Sequence, residues 1–261
     1  MYDSVWNFCR AHTTVSYGVA HAMFIVLCLG AWEFAVQIGT IDSLFFGQPS
    51  KIGKFLWSSL FITGDLWTDL GWTLAGTILS FLLGSVVAIL TGLLFVTVPR
   101  LERFMEPYFA ALNATPRIAL APLFIIWFGL GLASKLAIGF SLAFFIVLSS
   151  TVAGMRGSNQ DHITLTRTFG ASGLQMFRYV TLPGAIPVMF AGLRLGLIYA
   201  MLGVVAGEII ASKNGLGQTL AYLGATFNMN GVLALIFLLA MLGVAVTSSM
   251  TALERRLLRW Q

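Results

Sequence analysis

Few residues of this chain are suited to bond chemistry, and none form a recognisable catalytic set. His12, His21 and His162 lack any spacing that would bring two imidazoles onto one metal ion. No H-E-x-x-H, G-x-S-x-G or G-x-x-x-x-G-K-[ST] stretch occurs, so the usual carriers of metal-assisted hydrolysis, acyl transfer and phosphate cradling are missing. What remains is of two kinds. Glu33, Arg194 and Glu208 are ionisable groups within or at the ends of apolar runs, a placement that makes them candidates for a solute pathway. Asn113 and Thr115 join them as neutral polar groups ahead of a proline-broken helix. The second kind is a polar segment, GSNQDHITLTRTFGASGLQMFRYVTLP, from Gly157 to Pro183. Its residues suit the transmission of force better than the making of bonds.

The elements that position these groups follow from composition. Hydrophobic residues make up 58% of the 261, charged residues only 10%, and mean hydropathy is +0.88, more apolar surface than a soluble domain of this length can bury. A helix needs about 20 apolar residues to cross the hydrocarbon core. Runs near that length begin at about Tyr17, Trp72, Lys135, Ala185 and Asn230, and a shorter sixth runs from Pro116 to Gly131 with a further proline at Pro122. The expected fold is an all-α integral membrane protein of six spans, with both termini on one side.

Charge tells which side. All eleven Arg fall at or near the N-terminus, the second-to-third and fourth-to-fifth connections, or the C-terminus, and the four Lys fall in the alternate connections. Basic residues near span ends are retained in the cytoplasm, so both termini are expected there. The sequence pI near 9.5 is then a matter of topology, and no nucleic-acid partner is needed to explain it. Cys9 and Cys28, in a reducing compartment or in lipid, imply no disulfide.

Two spans carry small residues at every fourth position: Gly76, Ser80, Gly84, Ala88 and Gly92, then Gly192, Gly196 and Ala200. Such faces let another backbone approach closely and fit a packing seam, a dimer seam or a pathway lining. In the polar segment, Ser158 or Asp161 is suited to cap a first helix and Gly170 to end it. Ser172 and Gln175 have the spacing of a capping box opening a second helix, and Pro183 and Pro187 suit the first turn of the following span. The pattern predicts helix, glycine hinge, helix and a fixed entry into the membrane. An amphipathic hairpin lying on lipid is the plainer alternative.

The spacing Gly170, nine residues, Val180, one residue, Leu182, Pro183 resembles the EAA loop, E-A-A-x3-G-x9-I-x-L-P, of permease subunits of binding-protein-dependent ATP-binding-cassette importers. TRTFGAS, LPGAIPVMFAGLRLGL, GVVAGEIIASKNGLGQTLAYL and TPRIALAPLFIIWFGLG are similar to the nitrate, sulfonate and taurine branch, from about Trp72 to the C-terminus. Thr164, Leu165 and Thr166 occupy the Glu-Ala-Ala slots, so the acid that names the loop is absent, and Asp161 or Arg167 is left to replace it.

The resemblance implies a type I importer permease in the bacterial inner membrane. Its expected partners are two ATPase subunits that bind ATP and Mg, a second permease copy forming a homodimer, a periplasmic or lipid-anchored substrate-binding protein, and membrane lipid. No cofactor or metal is expected on this chain. Residues 1–70 would form a tail, first span and periplasmic segment, and residues 71–261 the permease core with a coupling loop at 158–183. Thr164, Arg167, Gly170, Ser172, Phe177, Leu182 and Pro183 would then engage the ATPase. Gly215, Leu216 and Gly217, in the KNGLGQ run beyond Glu208, would belong to a short periplasmic element or be an ordinary interfacial turn. An ion-coupled secondary transporter would instead need inverted repeats and mid-membrane coupling groups. Glu33 alone supports that weakly, and no repeat is visible.

Overall fold

The computed structural model describes residues 2–210 and 212–258. Arg259, counted among the basic residues, lies outside them, as do the side chains of residues 1–16, including those of Cys9, Arg10 and His12. Among the described residues every regular element is helical: α1 (Tyr2–Gln37), α2 (Pro49–Trp57), α3 (Asp65–Thr97), α4 (Pro99–Ala114), α5 (Ala121–Phe128), α6 (Leu132–Arg156), α7 (Gln160–Thr168), α8 (Gly173–Ile210), α9 (Leu216–Ala225) and α10 (Met229–Leu257). One-turn helices and 3-10 turns fill some of the joints.

Five of these are long and apolar enough to cross a membrane: the Val19–Gln37 part of α1, then α3, α6, α8 and α10. The sixth expected span takes a different form. Pro116 lacks an amide donor and holds the preceding Thr115 in an extended conformation (ψ 130°), so the chain turns by 83° between α4 and Arg117–Phe128. Gly129, at φ +77°, closes α5 after eight residues. Eight residues rise only about 12 Å, so a sixth crossing requires α4 and α5 together.

The chain divides into two units. One comprises Met1–Thr63 with Leu223–Ile236. Within it Glu33, the acid inside the first apolar run, accepts hydrogen bonds from Gln37 Nε2 (3.0 Å), Gln48 Nε2 (2.5 Å), Ser50 N (3.0 Å) and Ser50 Oγ (3.0 Å). A carboxylate against the first turn of α2 satisfies an orphan amide and meets the positive end of the helix dipole. Gln48 N donates to Asn230 Oδ1 at 2.8 Å, which fixes the entry to α2 against the start of α10.

The other unit comprises Gly64–Tyr222 with Phe237–Gln261. Its centre is the packing of α3, α6 and α8, and the small-residue faces are what bring them together. Gly76, Ser80, Gly84, Ala88 and Gly92 are all buried. A Cβ on Gly84 would stand 3.2 Å from Ala143 Cβ and from Phe140 O, and one on Gly92 only 2.8 Å from Thr151 Cγ2. On α8, a Cβ on Gly196 would come within 2.7 Å of Val147 Cγ2. Both faces are therefore used inside the unit, as packing seams. Ala88, Phe95, Phe144, Val147 and Leu148 form a continuous apolar core, and Phe109 from α4 packs edge-on against Phe95 with ring centres 5.3 Å apart.

Candidate functional site

Two regions at opposite ends of α8 concentrate the residues singled out from the sequence. At its start lies the hairpin of α7 and the first turns of α8. Gly170 closes α7 at φ +76°, its N–H donating to Arg167 O at 2.9 Å. The capping box is formed in full: Gln175 N donates to Ser172 Oγ (3.3 Å) and Ser172 N donates to Gln175 Oε1 (2.8 Å). The cap of α7 differs from expectation. Asn159 holds it, accepting from Asp161 N at 2.8 Å. Ser158 is buried with its hydroxyl near Met155 O (3.2 Å) and Thr181 O (3.4 Å), so it ties the hairpin's base together and caps nothing.

A second difference lies at the Leu-Pro pair. In place of a separate helix followed by a new span, α8 runs continuously from Gly173 to Ile210. The missing Pro183 amide is accommodated by a π turn over Phe177–Thr181, in which Leu182 N–H reaches back to Phe177 O. Pro187 then sits inside the helix. The second arm of the hairpin and the span are one rod.

Two hydroxyls of α7 are satisfied by the backbone of their own helix. Thr166 Oγ1 donates to His162 O and Thr168 Oγ1 to Leu165 O, both at 2.6 Å. Thr164 and Arg167 are exposed, and Phe177, Leu182 and Pro183 are half-buried. Three large apolar side chains also stand in the open, Phe169, Leu174 and Tyr179, exposed by 82%, 75% and 70%. A shallow hollow of about 360 Å³ opens between Thr166, Phe169, Gly170, Ala171, Gln175 and Tyr179.

At the far end of α8 the arrangement is inverted. Glu208, in the last turn, is buried and paired with Lys135 of α6 (Nζ to Oε1, 3.1 Å). Its other oxygen accepts from Thr73 Oγ1 of α3 (2.9 Å) and from Gly217 N (3.0 Å). Thr73 Oγ1 in turn accepts from Leu216 N at 2.9 Å, Gly215 N donates to Asp69 Oδ1 at 2.8 Å, and Lys135 Nζ donates to Asn214 O at 2.5 Å. Thr219 Oγ1 completes the set by donating to Asp69 Oδ2 at 2.5 Å. A carboxylate buried among apolar helices is tolerable only with such compensation. Gly215 and Gly217 are required by closeness: a Cβ on the first would lie 2.0 Å from Glu208 Oε1, and on the second 2.6 Å from Val205 O.

The structure thus joins Glu208, Gly215, Leu216 and Gly217 into one cluster. Lys135, Thr73 and Asp69 complete it, and sequence reasoning missed them. From the sequence, Lys135 reads as the start of a span and as one of the four Lys in the alternate connections. A Lys and a Glu in terminal turns on the same side of the membrane were the available signal. Asn113 and Thr115 lie elsewhere. Arg117 donates to Asn113 Oδ1 and places its guanidinium 4.3 Å from the centre of the Phe145 ring, a cation–π contact, while Thr115 Oγ1 donates to Ala111 O. Asn113 lines a groove of about 420 Å³ between α4 and α6, walled by Phe95, Phe109 and Phe145 with Glu102, Glu106 and Arg156 towards one end. Arg156 and Glu102 form an ion pair there. Arg194 is paired with Glu254 of α10, partly exposed. Among the described residues no group of three His, Cys, Asp or Glu is placed to hold a metal ion.

Known proteins resemble this chain over most of its length. Its sequence is 30% identical to the formylaminopyrimidine transport permease protein ThiX of Halalkalibacterium halodurans over 92% of this chain and 94% of that one. It is 31% identical to the riboflavin transport system permease protein RibX of Chloroflexus aurantiacus (91% and 88% covered), and 29% identical to the taurine transport system permease protein TauC of Escherichia coli (90% and 87%). Its fold matches a chain of the inward-facing MetNI methionine ABC transporter with a TM-score of 0.63 at 22% identity, covering 72% of this chain and 94% of that one. Residues 80–259 match the model of the binding-protein-dependent transport system inner membrane component. With spans built on small-residue seams and a Gly170 to Leu182-Pro183 hairpin at one end, this chain belongs to that family of ABC-importer permeases of the inner membrane.

Proposed function

We propose that this chain forms the passage for a small solute delivered by an extracytoplasmic binding protein, and that ATP hydrolysed on separate partner subunits drives it through the α7–α8 hairpin. In this reading both termini and the hairpin face the cytoplasm, two copies form the passage, and two ATPase subunits bind ATP and Mg. Residues 1–70 precede a permease core at 71–261. The observation that carries the coupling role is the continuity of hairpin and span. Leu174 and Tyr179 stand exposed on the helix that contains Ile210, with Phe169 exposed just before it, so a displacement of this arm of the hairpin is applied directly to a rod roughly 55 Å long. Thr164, Arg167, Gly170, Ser172, Phe177, Leu182 and Pro183 belong to this contact region. A glutamate is not needed where burial of apolar surface supplies the attachment.

For the substrate, a small anion such as nitrate, a sulfonate or taurine is supported by relatives named for taurine and aliphatic sulfonate transport. A second reading, a nitrogen heteroaromatic, is favoured by the relatives named for formylaminopyrimidine and riboflavin at 30% and 31% identity. The groove beside Asn113, walled by Phe95, Phe109 and Phe145 with Arg117 over the last ring, suits a flat π system. Reconstitution with the neighbouring ATPase and binding protein tests the function. Uptake should require ATP and loaded binding protein, whereas uptake driven by a proton gradient without ATP would remove the importer reading. Screening the binding protein against sulfonates and pyrimidines decides between the substrates.

A further inference from the structure

Between α1 and α3 the chain builds a two-sided element. Asp42 Oδ1 accepts from Leu44 N at 2.8 Å and opens a single helical turn, Ser43–Phe46, which Gly47 ends at φ +65°. α2 follows at Pro49 and continues through a π turn over Ser58–Ile62. One side of this element is packed. Ile52 is buried, a Cβ on Gly47 would lie 2.8 Å from Leu233 Cδ1, and one on Gly231 would lie 3.2 Å from Phe55 Cε2, so this side is pressed onto the start of α10. The other side is bare. Leu44, Phe45, Phe46, Trp57, Phe61 and Ile62 are exposed by 51% to 72%, and the Trp57 and Phe61 rings lie against each other with centres 4.6 Å apart. Lys51, Lys54, Trp57 and Phe61, all exposed, follow one another at intervals of three, three and four residues, which makes them one stripe of the helix. Neither lysine enters an ion pair among the described residues.

The level of this element is set by its clamps. Glu33 lies four residues before the end of the apolar run Val19–Gln37 and receives Gln48 Nε2 and Ser50 N at the entry to α2, while Asn230, the second residue of α10, receives Gln48 N. The bare side therefore begins where two spans leave the hydrocarbon. An uncovered apolar patch at that level needs a partner. Its composition selects lipid: Trp and Phe suit the interfacial layer, and lysine stems lie along apolar surface while their ammonium groups stay at headgroup height. A protein partner would call for the opposite, since lysine is depleted from the centres of protein–protein contacts.

We propose that the face formed by Leu44–Phe46, Lys51, Lys54, Trp57 and Phe61 is a lipid-binding site: its rings seat in the interfacial layer of the leaflet where α1 ends, and Lys51 and Lys54 hold the phosphate of an anionic phospholipid. On the topology proposed above this is the outer leaflet. The site requires only that α1 and α10 cross the membrane, so it stands or falls separately from the importer reading. Because Glu33 and Asn230 tie the element to both of those spans, lipid held on this face fixes the level of their ends.

The test uses the full chain with its ATPase subunits in phosphatidylcholine vesicles, carrying Cys9→Ser and Cys28→Ser and a single bimane fluorophore attached through Phe61→Cys. That fluorophore should be quenched by doxyl-labelled phospholipid and shielded from iodide, whereas one attached through Lys213→Cys, at an exposed loop position, should show the reverse. Doxyl phosphatidylglycerol should quench at position 61 at about fivefold lower mole fraction than doxyl phosphatidylcholine, and added salt should narrow that gap. Lys51→Gln combined with Lys54→Gln should abolish the preference and leave quenching by phosphatidylcholine unchanged. Phe46→Cys, on the capped turn, supplies an independent position at which the same pattern is expected. The inference is overturned if iodide reaches positions 46 and 61 as freely as position 213. It is overturned equally if neither iodide nor lipid reaches them, as when a second copy or another protein covers the face, or if the preference for phosphatidylglycerol is absent with both lysines present or survives their replacement.

Discussion

At one end of α8 the hairpin leaves Phe169, Leu174 and Tyr179 uncovered, and at the other Gly215, Leu216 and Gly217 are buried beneath Asp69, Thr73 and Glu208. Both loops are short, both depend on a glycine at positive φ (Gly170 at +76°, Gly215 at +116°), and both join helices of the same unit. They differ in where their polar groups find partners. In the hairpin the capping box, the Asn159 cap and the threonine hydroxyls satisfy one another locally, so its shape is set before any tertiary contact and its apolar face is left over. In the far loop the backbone amides are satisfied by side chains up to 146 residues away in sequence, so its shape exists only when three helices have assembled. A locally closed element is free to change partners as a machine cycles; one held by the scaffold moves only with it.

The contrast can be broken most forcefully at Lys135. Lys135→Met leaves the Glu208 carboxylate buried without its cation and should cost about 3–5 kcal/mol, seen as a large fall in the thermal midpoint of the solubilised chain, while Lys135→Met combined with Glu208→Leu should recover most of it. If the single variant unfolds at the wild-type temperature, the far loop is not held as described. Gly215→Ala should follow, at roughly 2–4 kcal/mol. Its methyl meets the Glu208 carboxylate and the backbone there disfavours a side chain.

Changes in the hairpin should be milder for the fold and harsher for assembly. Gly170→Val has open space around it, so only the left-handed backbone resists, costing about 1–2 kcal/mol. Insertion should persist, and retained ATPase and uptake should drop; normal uptake would count against the hinge. Smallest of all for stability is Phe169→Ala, within about 0.5 kcal/mol, since the ring is 82% exposed. The amount of ATPase co-purifying with it should nonetheless fall, and salt should matter little to that loss. A strongly salt-dependent attachment would point instead to Asp161 or Arg167 as the anchoring charge.

Much of the fold was legible because a membrane simplifies the code. Apolar length alone predicted the long spans, and four-residue recurrence of Gly, Ser and Ala predicted which helix faces touch. The hairpin was legible too, down to the Ser172–Gln175 box, since caps and hinges depend on residues within four positions of each other. Where local reading failed, three neighbouring side chains competed closely: Ser158, Asn159 and Asp161 can all cap, and the inward pull of Met155 O and Thr181 O on Ser158 leaves Asn159 to act. The continuous passage of α8 through Leu182-Pro183 likewise depended on a π turn that no residue type announces.

By itself, then, the sequence determined a membrane-spanning helical chain, its packing stripes and a glycine-hinged hairpin ending in Leu-Pro, because each of these follows from side-chain type at fixed short spacing. Only the tertiary structure decided that Lys135, Thr73, Asp69 and Glu208 converge on one loop. Those residues are separated by up to 139 positions, from Asp69 to Glu208, and hydrogen bonds across such distances have no periodicity to read. The same holds for Arg194 and Glu254, and for the acid at position 33 that caps a neighbouring helix: charge type could nominate them, but which partner lies within reach is a property of how the helices pack.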